Sequence, residues 1–322
     1  MVEKSILILG SDHHAAMELI FSSELTNLGI RNKVLGIQNA FLKYYNKSIL
    51  NKILYRLGLS TIEFKLQALV RSEVITFNPQ IVLVFKGMEI WPETIKWIKS
   101  KGIQIANYNP DSPFIFSGRG SGNKNVSNSI SLFDVYFTYD KNIKNELTIR
   151  DVKSELIPFG FDSNGFIYSE LIEEEEIVKL CFLGNADRLR VEFIQNLAKK
   201  GIKIDVYGEN WGLLKLHNGI SIFGPLYGEQ FWKTLQRYAV QLNLLRPHNL
   251  TSHNMRSFDI PGAGGIMLAP RTEDHQTFFI ENKEVFLFED MEEAYQKIIY
   301  ILNFALIAYQ VVIFTRFSYG IA

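Results

Sequence analysis

Cysteine is nearly absent: one residue in 322, Cys181, inside the apolar run Val178 to Leu183. Without a partner it forms no intramolecular disulfide and reads as a small core residue, a usage that suits a reducing compartment. An excess of one charge is missing too, since Lys plus Arg and Asp plus Glu number 34 each. A protein of this size that grips a phosphate backbone would be basic, so no nucleic-acid partner is expected. No run reaches the roughly 18 to 20 apolar residues of a membrane span. The nearest, Ile301 to Phe314, is interrupted by Asn303 and Gln310. The amino terminus enters a five-residue apolar strand rather than the core of a signal peptide. The expected location is cytoplasmic.

Cofactor and metal signatures are equally sparse. The turn Gly10-Ser11-Asp12-His13-His14 lacks the three-glycine dinucleotide fingerprint, which disfavours nicotinamide and flavin. No Asp-x-Asp pair closes a strand, and the histidines at 13, 14, 217, 248, 253 and 275 show no zinc spacing. The expectation is no metal and no cofactor.

What is present is an α/β rhythm. With 47% hydrophobic and 21% charged residues the chain can bury a large interior, and its length favours two domains. Apolar strands are expected at Ser5 to Leu9, Val34 to Ile37, Ile81 to Phe85, Gln104 to Tyr108 and Val135 to Thr138. Beyond an unpatterned, glutamate-rich linker at Gly160 to Glu176, the rhythm restarts at Ile177 to Leu183. Helix, glycine, strand junctions recur at Gly29, Gly102 and Gly201, which argues for repeated βα units. The expected domains are 1–165 and 177–302, followed by a tail, 303–322, too apolar for a solvent-facing helix and able to cross back to the first domain. Phe41 to Leu57 reads as one amphipathic helix carrying Lys43, Lys47, Lys52 and Arg56. Such a helix either packs on its own domain with a solvated basic face or lies on an anionic membrane, here the inner face.

Two segments belong at the carboxyl edge of one parallel sheet. Phe182 to Arg190 is a strand that stops at Gly184-Asn185 and opens a helix with Arg188 and Arg190; Asn243 to Gly265 supplies Arg246, His253, Arg256 and Asp259 before Gly264-Gly265. Backbone N–H groups and fixed guanidinium groups at such an edge suit a diphosphate, although arginines in a helix's first turns are otherwise solvated surface charge. In the first half, the loop Asn109-Pro-Asp111-Ser-Pro-Phe and the glycine-rich run Ser117 to Gly122 also follow a strand.

Several of these pieces resemble the CgeB-like (spore-maturation type) glycosyltransferases, relatives of the large retaining group of the GT-B fold. They are Phe-Leu-Gly-Asn with Arg190, Val-Tyr-Gly208-Glu-Asn210-Trp211, Leu-Asn-Leu-Leu-Arg246, and His253 with Arg256-Ser-Phe-Asp-Ile-Pro-Gly; Gly264-Gly-Ile-Met-Leu and Pro158-Phe-Gly-Phe-Asp belong with them. The resemblance implies two Rossmann-like domains with parallel sheets facing across a cleft, acceptor on the first and nucleotide-sugar donor on the second. It implies a metal-independent transferase of polysaccharide biosynthesis, with a glycan, lipid-linked or protein acceptor. Donor contacts would come from Gly184, Asn185, Arg188, Arg190, Gly208, Asn210, Trp211, Arg246, His253, Arg256, Asp259, Gly264 and Gly265. Asp259 stands where the family has an acid for the ribose; the second acid of the wider group is replaced by Thr251, so no stereochemistry is assigned. His13, His14, Asp111 and His253 are the candidates for acid–base work. Two alternatives stay open: a GT-B scaffold that binds nucleotide or glycan without catalysis, and a nucleotide-sugar epimerase of the same fold.

Overall fold

The computed structural model describes residues 4–14, 16–116, 120–162, 176–212, 214–246 and 250–307, without the side chains of 305–307. The tail beyond 307, most of the linker, and Ser117 to Arg119 lie outside the described residues. The chain divides into two units, Met1–Pro158 and Phe159–Ala322.

In the first unit, β1 (Ser5–Leu9), α1 (Met17–Asn27), β2 (Arg31–Leu35), α2 (Ile37–Asn46), α3 (Ile49–Arg56), α4 (Ile62–Phe77) and β3 (Ile81–Phe85) come first. They are followed by α5 (Pro92–Ser100), β4 (Gln104–Asn109), α6 (Lys124–Ser129), β5 (Val135–Thr138), α7 (Lys141–Ile149) and β6 (Ser154–Leu156). The second unit runs β7 (Ile177–Leu183), α8 (Arg188–Lys199), β8 (Ile204–Tyr207), β9 (Ile220–Phe223), α9 (Gly228–Arg237) and β10 (Tyr238–Leu242). It closes with α10 (Arg256–Gly262), β11 (Met267–Pro270), α11 (Glu273–Phe278), β12 (Phe286–Phe288) and α12 (Met291–Ile307).

Both sheets are six-stranded, ordered β2-β1-β3-β4-β5-β6 and β12-β11-β10-β7-β8-β9, with every pairing parallel. Strand order reverses between β1 and β3 in the first sheet and between β7 and β10 in the second. Connections leave a parallel sheet in opposite directions at such a point, and the crevice outside the strands' carboxyl ends is where α/β sheets hold ligands.

Alternation along β7 shows why both sheet faces are covered. Leu180 and Phe182 join Ile194 and Leu197 of α8 and Ile298 of α12 in one core, while Cys181 and Leu183 join Phe231 of α9 and Ile260 of α10 in another. In the first unit Ile8, Phe85 and Tyr108 pack against Met17, Phe21 and Leu25 of α1. The three helix, glycine, strand junctions are left-handed turns, with φ of 70° at Gly29, 75° at Gly102 and 94° at Gly201.

Three local expectations change. The single helix over Phe41 to Leu57 is two, because Ser48 breaks it: its backbone is extended and its Oγ accepts from Asn51 N at 3.1 Å, capping α3. The strand over Val34 to Ile37 shifts back to Arg31–Leu35, and Ile37 is buried as the first residue of α2. Helices α4, α10 and α11 come without forewarning; α4 buries Ile62, Leu66, Val70 and Val74, one per turn. Among the described residues no helix is long and apolar enough to cross a membrane.

Cys181 is fully buried, and burial, with Asp205 nearby, pushes its thiol well above the ordinary range. The folded protein should therefore leave Cys181 unmodified by iodoacetamide at neutral pH, with stoichiometric labelling only in denaturant. Rapid native labelling, read by mass spectrometry, would contradict this core.

Candidate functional site

The switch point of the second sheet gathers most of the residues singled out above. At the end of β7, Gly184 N donates to Tyr207 O at 2.8 Å, and Gly184 O accepts from Trp211 Nε1 at 2.8 Å. Gly208, after β8, lies so close to the Gly184 backbone that a Cβ there would collide with it. Asn185 Oδ1 receives Glu209 N at 2.9 Å. Trp211 is wholly buried against Phe182, so its ring positions this loop from inside the core. Gly264 is left-handed, φ 79°, and Gly265 has backbone oxygens of Leu235 and Ile260 where a side chain would begin. These two glycines let α10 turn tightly into β11.

Arg190 bridges the two sides of the switch point. Its guanidinium donates to Leu244 O at 2.7 Å and to Asn185 O at 3.2 Å, lies 3.2 Å from Asp187, and stacks over Phe182. Burial, together with the charges of Arg246 and Arg256, brings it down to about 10, against the opposing pull of Asp187. The helix terminus expected to face a phosphate is partly occupied: Asp187 caps α8, its Oδ1 accepting from Arg190 N at 3.1 Å. The cationic groups that this edge turns outward are Arg246, which is exposed, and Arg256, whose side chain is a third exposed.

Arg256 pairs with Asp259 at 2.6 Å and lies over the Phe231 ring at 4.2 Å; its Nε has no hydrogen-bond partner among the described residues. Asp259 itself is buried. Burial raises its carboxyl to about 6, Arg256 opposes the rise, and Asp162 adds to it. Phe161, beside Asp162, packs where a side chain on Gly262 would lie, so Pro158-Phe-Gly-Phe-Asp is part of this wall. Asp162 is thus a second acid whose charge reaches Asp259.

His253 has no exposed surface. Its Nδ1 lies 2.7 Å from Asp274 Oδ2, its Nε2 accepts from Phe159 N at 3.2 Å, and Phe159, Phe258 and Phe278 surround the ring. A second buried chain links Asn254, Asn243, Ser257, His275 and Pro270 O, and the resulting His275 tautomer carries its proton on Nδ1. Both networks fasten α10 from below and so aim Arg256 and Asp259. Arg188 and Asn210 line an open depression of about 610 Å³ beside α8, together with Asp187, Val191 and Leu214.

The first sheet's switch point carries the opposite chemistry. Asp111 is in an ion pair with Lys86 at 2.5 Å, and Lys86 also donates to Gly120 O at 2.6 Å. Exposed His13 packs against His14, the rings tilted by 37° with centres 4.1 Å apart. Glu18, buried, accepts from Ser11 N at 2.6 Å. Glu89, in the loop after β3, is pushed up to about 7 by burial and by Glu18, against its own backbone N–H and Lys86. Neither glutamate belonged to a recognisable motif; only the fold brings them to one edge.

The raised carboxyl of Asp259 sets the sign of a pH effect. The folded state holds this proton up to about pH 6 and the unfolded chain releases it near 4, so ionisation within the fold costs stability as pH rises across that window. Relative to Asp259→Asn, the wild type should lose on the order of 3 kcal/mol between pH ~4 and ~7 and be level above it. Urea unfolding of both proteins across this range is the measurement; a difference that stays flat or grows would mean that the Arg256 pair outweighs burial.

Residues 189–306 match a protein-family model described as glycosyl transferase-like, a span running from the start of α8 to the end of α12. No curated protein sequence matches the chain. Among solved structures, a glycosyltransferase from Rickettsia africae superposes with a TM-score of 0.63 at 12% identity, covering 98% of this chain and 93% of that one. A trehalose-6-phosphate synthase, from work on glycosyltransfer with retention, gives 0.59 at 10% identity over 97% and 93%. UDP-GlcNAc 2-epimerase from Neisseria meningitidis bound to UDP-GlcNAc gives 0.54 at 13% identity over 94% and 92%. The chain has the GT-B fold, two Rossmann-like units, and the stretch similar to the glycosyl transferase-like model lies in the second.

Proposed function

We propose that the protein transfers a sugar from a nucleoside-diphosphate sugar to a glycan, lipid-linked or protein acceptor, without a metal. The observation that carries this reading is the cluster of Arg190, Arg246 and Arg256 at the β7–β10 switch point of a glycosyl transferase-like domain. A departing nucleoside diphosphate develops negative charge, and preorganised guanidinium groups stabilise it without reorganisation. Arg246 and Arg256 would touch the diphosphate, while Arg190, spent on backbone carbonyls, holds the two loops in register. Asp259 would accept the ribose hydroxyls, at the cost of part of its bond to Arg256. In the first unit Glu89 joins His13 and Asp111 as a candidate base, because its proton affinity near neutrality suits removal of a proton from a hydroxyl.

Because the Neisseria structure and its relatives hold UDP or UDP-GlcNAc, UDP is the first ligand to try. A thermal-shift panel of UDP, GDP, TDP, ADP and CMP, with and without EDTA, tests the donor site. Ligand at about 100 times its Kd stabilises by roughly 2.7 kcal/mol, which a panel resolves. The proposal expects one diphosphate to stand out and EDTA to change nothing; a strict requirement for Mg²⁺ or Mn²⁺ would defeat it. Incubation with the matching nucleotide sugar then separates three activities by product: transfer or donor hydrolysis, epimerisation, or binding alone.

Arg256→Ala should weaken binding of the preferred nucleoside diphosphate by roughly ten- to a hundredfold, the loss of a charge-assisted hydrogen bond, and leave the free nucleoside nearly unaffected. Isothermal titration with both ligands checks it. Equal losses would assign Arg256 to the support of α10 instead.

A further inference from the structure

Residues 37–60 hold Lys43, Lys47, Lys52 and Arg56 and not one Asp or Glu, in a chain whose charges balance as a whole. The fold leaves this segment at the surface. Helix α3 has no buried residue, and Ile49, Ile53 and Leu57, one turn apart, are 76%, 46% and 65% exposed, with Leu50, Leu59 and Leu42 also exposed. The inner side is held by aromatic rings: Phe41 and Tyr45 of α2 meet Tyr55 of α3 at 4.9 and 5.7 Å. Lys52 lies over the Tyr45 ring, and Arg56 reaches the Tyr45 hydroxyl at 3.5 Å. Half-buried aromatic anchors therefore fix α3 so that its apolar stripe faces outward, the reverse of a surface helix that packs on its own domain.

We propose that the α2–α3 surface docks on an anionic lipid bilayer. Helix α3 lies in the plane of the interface, with Ile49, Ile53 and Leu57 at the acyl boundary and Lys43, Lys47 and Arg56 at the headgroups. Charge selects this occupant. A second copy packed on the same patch by two-fold symmetry would bring four more cations against these four, and an uncharged partner would leave them uncompensated. The inference does not depend on the proposed enzymatic reaction, since binding to vesicles needs no turnover.

Flotation of the full-length protein with phosphatidylcholine vesicles, with and without phosphatidylglycerol, tests it. Binding should appear only with phosphatidylglycerol and fall as salt rises. In Lys43→Gln/Lys47→Gln/Arg56→Gln the partition coefficient should drop about fivefold per cation removed. In Ile49→Ser/Leu57→Ser it should drop further still at high salt, where only the apolar contribution remains. Circular dichroism and urea midpoints of both variants serve as controls for folding; should either fail them, the comparison of the two vesicle types with wild-type protein still decides. Equal flotation on neutral vesicles, no flotation on anionic ones, or an unchanged triple variant would overturn the proposal. So would a concentration-dependent dimer, seen by light scattering, that Ile49→Ser/Leu57→Ser abolishes.

Discussion

The second unit depends on one buried guanidinium. Arg190 leaves α8, crosses beneath the loop after β7 and ends on Leu244 O beyond β10. Sequestering a guanidinium from water is costly, and the cost is offset only because two carbonyl groups, Asp187 and the face of Phe182 surround it. Substituting it would leave those carbonyls unpaired on both sides of the point where strand order reverses. The close approach of Gly208 to Gly184, and the Trp211 indole donating to Gly184 O, tie the loops after β7 and β8 together.

Below α10 the structure buries polar groups of a different kind. His253 with Asp274, and Asn243 with Ser257 and His275, are partnered at each nitrogen and oxygen that the networks use. Satisfied networks of this kind specify one arrangement of a core. Asp259, on the same helix as Ser257, is left with a carboxyl whose burial is only partly compensated. The contrast separates residues that hold α10 from those it presents. His253, attractive as a catalytic group when read in sequence, is engaged at both ring nitrogens inside the wall.

The two switch points have the same architecture and different chemistry. Arginines dominate the edge of the second sheet, carboxyl groups that of the first, where Glu18, Glu89 and Asp111 share Lys86 among them. A polyanion suits the former, and a ligand with exchangeable protons the latter. This division matches the donor and acceptor roles proposed for the units and arises from side chains rather than topology.

Strand positions were legible in the sequence because a parallel strand covered on both faces is a continuous apolar run: Ser5–Leu9, Ile81–Phe85, Val135–Thr138 and Ile177–Leu183 are such runs, and each forms the strand expected. The glycine junctions were legible because only glycine takes the left-handed turn without strain. Arg190, Arg256 and Asp259 could be named, since they lie beside strand ends in recognisable segments. Their division of labour could not, because it depends on which side chain is buried: Arg190 turns inward to carbonyls far away in sequence, whereas Arg246 stays outside. The break at Ser48 was hidden by an unbroken helical periodicity that a single capping hydroxyl overrides. Glu89 lacked any local signal, and Asp162 stood in a recognisable segment with nothing to show its partner, since a carboxyl's proton affinity is set by desolvation and by neighbouring charge. Those quantities exist only once the chain has folded.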